Sequence, residues 1–325
     1  MKKIVLTPTK NEEWIIELFL KITSLFADHI IIADQFSTDK TVEIAKKFPK
    51  VIIIENNNSE YDEQYRQKLL IDKARTLFPG NNLLLALDAD EIITADSVNS
   101  IEWVKIVNQK PGTQIYFNKV DVLPGFKEAL LTKNKFLIGF IDDGREHIGL
   151  KIHSPRVPFS NYKYESMDIQ FMHLAITRNE EFYSKLRRYI VIENIENIDN
   201  LRNRYKKYSR YFIEKTINSL QKQILPNEWI QYDIYIDFNT VVSTVCNVYN
   251  KDVINNIICF GEKKFWLDDI WYIDFNSVAK LLGTNLNILI KNPPFYISII
   301  RWLLIRIFYI AFKTKKHFSK ITKLL

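Results

Sequence analysis

Two kinds of apolar pattern alternate over the first ninety residues. "KIVLT" (Lys3–Thr7), "HIIIAD" (His29–Asp34), "KVIIIEN" (Lys50–Asn56) and "NNLLLALDAD" (Asn81–Asp90) are short runs that are apolar at successive positions. The segments between them repeat at helical spacing. "NEEWIIELFLKITSLF" (Asn11–Phe26) places Trp14, Ile15, Leu18, Phe19, Ile22, Leu25 and Phe26 on one face, with Asn11 as the expected N-cap. Glu12 and Glu13 suit the positive end of its dipole. "STDKTVEIAKKF" (Ser37–Phe48) and "EYDEQYRQKLLIDKARTLF" (Glu60–Phe78) read as two further helices. Strands that are apolar throughout belong to a parallel sheet covered on both faces. Such a sheet takes its ligands beyond the carboxyl ends of its strands. Residues 7–11, 34–39, 56–60 and 88–91 are therefore expected to meet at one rim.

The texture changes after residue 115. Shorter strands, mixed or antiparallel, are expected over 115–175, and a basic helical stretch over 180–223. Residues 228–290 read as helix or strand with no decision between them. The expected division is 1–225, a catalytic α/β domain; 226–292, a helical or mixed extension; and 293–325, a tail.

Composition adds three points. The chain has 325 residues, 47% of them hydrophobic, with only eight glycines and ten prolines, so it can bury a substantial core. Its net charge of +7 lies in the tail: Arg301, Arg306, Lys313, Lys315, Lys316, Lys320 and Lys323 meet no Asp or Glu there. The rest of the chain balances at 38 basic against 38 acidic residues, which argues against a nucleic-acid partner. Cys246 and Cys259 form no CxxC motif and read as buried thiols in a reducing cytosol. The polar start before Pro8 is too short to be a signal peptide.

The run "LLLALDADE" (Leu83–Glu91) drives a buried strand into three carboxylates. Asp88 and Asp90 alone read either as a turn or as an oxygen pair for a divalent cation. Their place at a strand end, at the same rim as Asp34, favours the second reading. Converging acids repel one another unless a cation or hydrogen-bond donors compensate, and Mg²⁺ or Mn²⁺ does so with oxygen ligands. No GxGxxG follows the first strand, so a dinucleotide fingerprint is absent.

"TPTKNEE", "ADQFSTDKT", "RQKLLIDKAR" and "LALDADE" together resemble the ordered motifs of family 2 glycosyltransferases. The resemblance is strong over residues 1–100, weaker to about 190 and absent after about 225. It implies the GT-A fold, a Rossmann-like, mainly parallel sheet with helices on both faces, here with a helical C-terminal extension. It implies a nucleotide-sugar donor, with UDP-sugars favoured, and a glycan or lipid-linked acceptor, as in bacterial surface polysaccharide synthesis. By the same resemblance, Pro8, Thr9, Asn11 and Glu12 line the base and ribose, and Asp34 and Arg66 contact the nucleoside. Asp88 faces ribose and metal, Asp90 binds the metal, and His173 is a candidate third ligand. Taken alone, His173 in an apolar strand reads as a satisfied core histidine. Gln35 departs from the second Asp that many relatives carry. A nucleotidyltransferase and a membrane-tethered non-catalytic module are the alternatives. The first usually carries a glycine-rich basic loop that "TPTKNEE" does not have.

A metal bridging the diphosphate would shield the charge of the leaving group. An inverting transfer also needs a carboxylate to take the acceptor's proton. "GFIDDGREHIGLKIHSPRVPF" (Gly139–Phe159) supplies the candidates Asp143, Glu146 and Asp142, in that order; a solvated loop of ordinary ion pairs is the competing reading. Lys185, Arg187 and Arg188 read as a phosphate contact or a solvated basic face.

Residues 295–312 are apolar except for Ser298, Arg301 and Arg306. Two arginines at mid-bilayer would each cost about 2.5–3.5 kcal/mol. A helix lying in the interface is therefore expected rather than a spanning one. Tyr296, Trp302 and Tyr309 would sit at headgroup depth and the lysines beyond would meet anionic lipid. The protein would then be cytoplasmic and peripheral at the inner face of the membrane. Packing on the body or in a dimer is the competing reading.

Overall fold

The computed structural model describes residues 1–58, 60–238, 248–273, 275, 278, 280 and 290–314. Cys246 and Lys315, Lys316, Lys320 and Lys323 lie outside the described residues. The chain divides into two compact units, one of Met1–Thr177 with Lys222–Ser243, the other of Arg178–Gln221 with Thr244–Leu325. This differs from the expected linear division, because the chain returns to the first unit at Lys222.

The first unit is built on one mixed sheet. Its elements are β1 (Lys3–Thr9), α1 (Ile16–Phe26), β2 (His29–Asp34), α2 (Thr41–Ala45), β3 (Val51–Glu55), α3 (Glu63–Leu77) and β4 (Leu83–Ala86). There follow β5 (Glu91–Ile93), α4 (Ala95–Val98), α5 (Glu102–Val107), β6 (Gln114–Val122), β7 (Glu128–Ile141) and β8 (Lys163–His173). The strand order is β3-β2-β1-β4-β7-β6-β8-β5. β3, β2, β1 and β4 are parallel, as their unbroken apolar runs require, and β7 joins β4 antiparallel. Alternate residues serve opposite faces. Ile4, Leu6, Ile31 and Leu84 pack under Leu70, Ile71 and Ala74 of α3. Val5, Ile30, Ile32 and Leu85 pack against Ile16, Phe19, Leu20 and Ile22 of α1. Gly139 lets β7 lie against β4, since a Cβ there would stand 2.5 Å from the Leu84 carbonyl oxygen.

Two local expectations fail for identifiable reasons. β1 does not stop at Pro8 but continues through Thr9. The β1–β4 pairing ends at Leu6 and Ala86, so the N–H that Pro8 lacks would have met no strand on that side. Asn11 does not cap α1, whose first residue is Ile16. Asn11 takes left-handed backbone (φ 57°), and its Oδ1 accepts the Thr38 N–H at 2.7 Å, tying two loops together.

The second unit is helical where it is described: α6 (Asn179–Ile195), α7 (Leu201–Tyr208), α8 (Arg210–Ser219), α10 (Val248–Phe260) and α11 (Phe295–Thr314). The short β9 (Lys222–Ile224), antiparallel to β7, and α9 (Asn227–Ile230) belong to the first unit. Arg187 is not on a solvated face: it is buried and donates to Asn250 Oδ1 at 2.9 Å. Arg188 pairs with Asp252 at 3.0 Å. Cys259 is exposed, not buried, on the face of α10 away from Val253, Ile254 and Ile257. One side of α11 packs on its own unit, with Phe308 against Tyr205, Tyr309 against Tyr211 and Phe312 against Phe212. Tyr309 is thus turned toward protein rather than outward. The other side of α11 is bare.

Candidate active site

The ends of β1 and β2 are bound into one polar cluster. Asp34, the last residue of β2, accepts from Thr9 Oγ1 at 3.0 Å, from the Ser37 N–H at 2.9 Å and from the Ser37 hydroxyl. Ser37 Oγ in turn accepts the Asn11 N–H at 2.8 Å. The Glu12 N–H donates to Thr41 Oγ1 at 2.7 Å, and Glu12 Oε2 accepts from Trp14 Nε1 at 2.8 Å. Pro8 is half-buried beside them. Gln35 Nε2 donates to the carbonyls of Asn58 and Glu60 at 2.7 and 2.8 Å, so it holds the loop after β3 in place. That loop leads to Asp62, which caps α3 by accepting from the Tyr65 N–H at 2.9 Å. Arg66, in the opening turns of α3, lies 5.2 Å from the Tyr61 ring.

β4 ends at Ala86, so Asp88 and Asp90 lie in the turn beyond it, at the same rim, and Glu91 opens β5. Glu91 is 3% exposed and accepts the Asp88 N–H at 3.0 Å, which closes the acid turn. Arg156 enters from the loop after β7. Its guanidinium grips both oxygens of Glu91, and its Nη2 donates to Asp88 Oδ2 at 3.1 Å. Burial would lower the Arg156 pKa, but Glu91 and Asp88 beside it hold it raised. Left-handed backbone at His153 (φ 60°) turns this loop so that the Ser154 N–H meets Glu63 Oε2 at 2.9 Å.

Asp90 faces the end of β8. His173 Nε2 is 3.7 Å from Asp90 Oδ2, and His173 Nδ1 is 2.7 Å from Asp121 Oδ1. Asp121 is fully buried at the end of β6, with Lys119 Nζ 3.1 Å from the same oxygen. Burial would raise the Asp121 pKa, yet the Lys119 charge and the His173 hydrogen bond pull it below the usual carboxylate value. The neighbours match the register: Asp121 lies opposite His173 across β6 and β8, and Glu91 opposite His173 across β5 and β8.

Residues 4–101 match the family Glycosyl transferase family 2. That match covers the parallel strands, their helices and the acid turn of the first unit. No curated protein sequence matches the chain. Among solved structures, TarS 1–349 of S. aureus has a TM-score of 0.38 at 13% identity, over 98% of this chain and 93% of that one. The same protein in complex with UDP gives 0.38 at 14% identity, with the same coverage. Glucosyl-3-phosphoglycerate synthase from Mycobacterium tuberculosis, in complex with Mn²⁺, UDP and glucosyl-3-phosphoglycerate, gives 0.25 at 19% identity, over 38% of this chain and 44% of that one.

The expected site residues divide. Pro8, Thr9, Asn11, Glu12, Asp34, Asp88, Asp90 and His173 lie at the rim, with Arg66 at the rim end of α3. Asp142 and Asp143 do not. β7 runs antiparallel to β4, so Asp142 lies at the opening end of β4, where its N–H donates to the Asn82 carbonyl at 2.8 Å. Asn82 and Asp88 are six positions apart along the chain, about 20 Å where it is extended. Asp142 is clamped by Arg75, whose Nη2 donates to Oδ1 at 2.8 Å. Asp143 pairs with Arg145, whose hydrogen bonds hold its carboxyl below the usual range. Both lie at the far edge, while Glu146 is exposed in the loop between the two edges.

The site also fits a divalent cation, though incompletely. Neighbouring ligands on one octahedral ion stand about 3 Å apart, and Asp90 Oδ2 and His173 Nε2 approach that spacing at 3.7 Å. Asp88 is engaged by Arg156 instead. Among the described residues, no three His, Cys, Asp or Glu side chains form a ready-made cluster. Remaining ligands would have to come from water or a bound phosphate. Asp121, Lys119, Glu91 and Arg156 were not singled out for these roles by sequence. The one available signal was a Lys and an Asp two apart in an apolar strand, "NKVDV", which puts both charges on the same buried face.

Proposed function

We propose that this chain transfers a sugar from a nucleotide-sugar donor, a UDP-sugar first among them, to a glycan or lipid-linked acceptor. The transfer uses Mg²⁺ or Mn²⁺ and inverts the anomeric carbon. The observation that carries this reading is the convergence at one rim of Asp34 from β2 and Asp90 from the turn after β4, both within the matched segment, with His173 from β8. Acids drawn to one edge of a parallel sheet are costly unless they serve a charged ligand.

The roles follow from position. Thr9, Asn11 and the Asp34 cluster form the floor for the nucleoside, with Pro8, Glu12 and Arg66 beside it. Asp90 and His173 would hold the cation and Asp88 would face the ribose. When bound, the cation shields the negative charge that builds on the departing diphosphate. Arg156 braces the acid turn so that Asp88 and Glu91 do not splay apart. Glu146 is the candidate to take the acceptor's proton. In the test, a thermal-shift panel of UDP-, GDP-, CMP- and dTDP-sugars is run with and without Mn²⁺. Stabilisation by one nucleotide class, dependent on Mn²⁺ and lost in Asp90→Ala, supports the reading; a flat response across the panel sinks it.

The outer side of α11 supports a membrane surface as the second partner, with the enzyme on the cytoplasmic side. Phe295, Trp302, Ile307 and Ile310 are 82, 55, 57 and 62% exposed along one stripe, with Arg306 5.1 Å from the Trp302 ring. The stretch Phe295–Phe312 is long and apolar enough to cross a membrane. Its packed inner side and the acid-free basic sequence that follows fit a helix lying on anionic lipid better.

A further inference from the structure

Asp121 is a buried carboxylate that nucleotide binding does not explain. It is 0% exposed, and its Oδ2 has no hydrogen-bond partner among the described residues. Its Oδ1 is shared by Lys119 Nζ at 3.1 Å and His173 Nδ1 at 2.7 Å. An acid placed there for stability alone would be an expensive choice, since apolar residues could fill the end of β6. What the arrangement does achieve is directional. An imidazole that donates through Nδ1–H to a carboxylate has a bare Nε2, and its ring is fixed in rotation. Here that Nε2 is the atom that faces Asp90, at 3.7 Å. Lys119, 4% exposed, balances the charge of Asp121, so that the carboxylate can stay ionised where no water reaches it. Lys119 is itself held over the Phe136 ring, 4.8 Å from its centre.

We propose that Asp121, supported by Lys119, is a positioning residue that sets the tautomer and aim of His173 so that His173 and Asp90 take one divalent cation between them. The inference rests on the reading of Asp90 and His173 as cation ligands. Asp121 touches neither cation nor substrate; it acts through His173 alone. Carboxylates behind ligating histidines commonly contribute 10–100-fold to metal affinity.

The test is Mn²⁺ binding to the full chain at saturating UDP, followed by electron paramagnetic resonance. Asp121→Ala should weaken Mn²⁺ binding by about 10–100-fold. Asp121→Asn, which keeps an acceptor for Nδ1–H, should recover part of the loss. His173→Gln should weaken binding at least as much, and adding Asp121→Ala to it should cost nothing further, because the second residue works through the first. Binding unchanged in Asp121→Ala but lost in His173→Gln overturns the positioning role and leaves the cation reading standing. Binding unchanged in both His173→Gln and Asp90→Asn removes the cation reading and the inference with it. Asp121→Ala strands Lys119 and can fail to fold, so ¹⁵N-histidine NMR of the wild-type chain provides a second measurement. In its neutral form His173 should carry its proton on Nδ1; a neutral form with the proton on Nε2 overturns the proposal.

Discussion

Arg156 Nη2 stands 3.1 Å from Asp88 Oδ2 while the same guanidinium grips Glu91, so the acid turn after β4 has a cation supplied by the chain itself. Glu91 is 3% exposed, and a buried carboxylate stripped of its partner is costly. Arg156→Met should therefore destabilise the protein by about 3–5 kcal/mol in chemical denaturation. Arg156→Met combined with Glu91→Met should recover most of that loss, because the orphaned charge is gone. If the double variant is no better than the single one, the pair is not what holds the turn.

The two edges of the sheet give a sharper contrast. Asp90→Asn should lower kcat/KM for transfer by at least about 100-fold, about 2.7 kcal/mol of transition-state stabilisation. Its stability should stay near that of the wild type, because Asn keeps the shape of Asp and removes one of several converging negative charges. Asp143→Asn should leave kcat/KM within about two-fold, because its carboxylate is committed to Arg145 at the far edge. The decisive measurement is the pair of kcat/KM values side by side. A loss in Asp143→Asn comparable to that in Asp90→Asn would return Asp143 to the catalytic centre.

The parallel half of this fold was readable because its strands are buried on both faces and leave an unbroken apolar signature. β2 to β4, α3 and the acid turn after Ala86 fall where the pattern put them, while β1 runs on through Thr9 and α1 begins only at Ile16. Candidates for the base could not be placed in the same way. A run of charges after a strand indicates a loop, but which edge it leaves from depends on whether the strand runs up or down. β7 runs down, which takes Asp142 and Asp143 away from the rim. The loop then climbs back, so that Arg156, not the acids, reaches the site. Asp121 was hidden for a different reason. Its local partner is Lys119, and His173 becomes its neighbour only through the pairing of β6 with β8. Asn11 carried a true loop signal, but its αL conformation serves a contact across to Thr38 rather than a helix cap.

Glu102 gives a pH dependence with a definite sign. It is 1% exposed; burial opposes its charge, but Lys105, Tyr164 OH, the Met167 N–H and Ser166 Oγ all donate to it and hold its pKa at about 2. A carboxyl with a depressed folded pKa adds stability above its unfolded value near 4.5 and loses it as pH falls toward the folded value. Wild-type stability should therefore fall between pH 4.5 and 2, and Glu102→Gln should flatten that part of the curve. At pH 7 Glu102→Ala, which leaves Tyr164, Ser166 and the Met167 N–H without their acceptor, should cost about 2–4 kcal/mol. Urea denaturation at stepped pH reads both effects. An identical acid limb in wild type and Glu102→Gln would show that another carboxyl governs it.

α11 can be tested one side at a time, and its two sides should fail differently. Deleting the helix would expose Tyr205 and Phe212, which it covers, so loss of lipid binding in a truncation would not separate docking from unfolding. Point substitutions separate them. Trp302, Ile307 and Ile310 face outward, and each large apolar side chain moved out of water is worth about 1.5–3 kcal/mol. Replacing all three with Ser should weaken binding to vesicles containing anionic phospholipid by at least about 100-fold while leaving thermal stability near wild type. Phe308→Ala, on the packed side against Tyr205, should do the reverse, lowering stability by about 2–3 kcal/mol with vesicle binding retained below the melting temperature. Raising the salt concentration should weaken vesicle binding of the wild type and of Phe308→Ala alike, because the basic residues contribute through a screened field. If the triple Ser variant sediments with vesicles as wild type does, the outer stripe is not the lipid contact, and a protein partner becomes the reading to pursue.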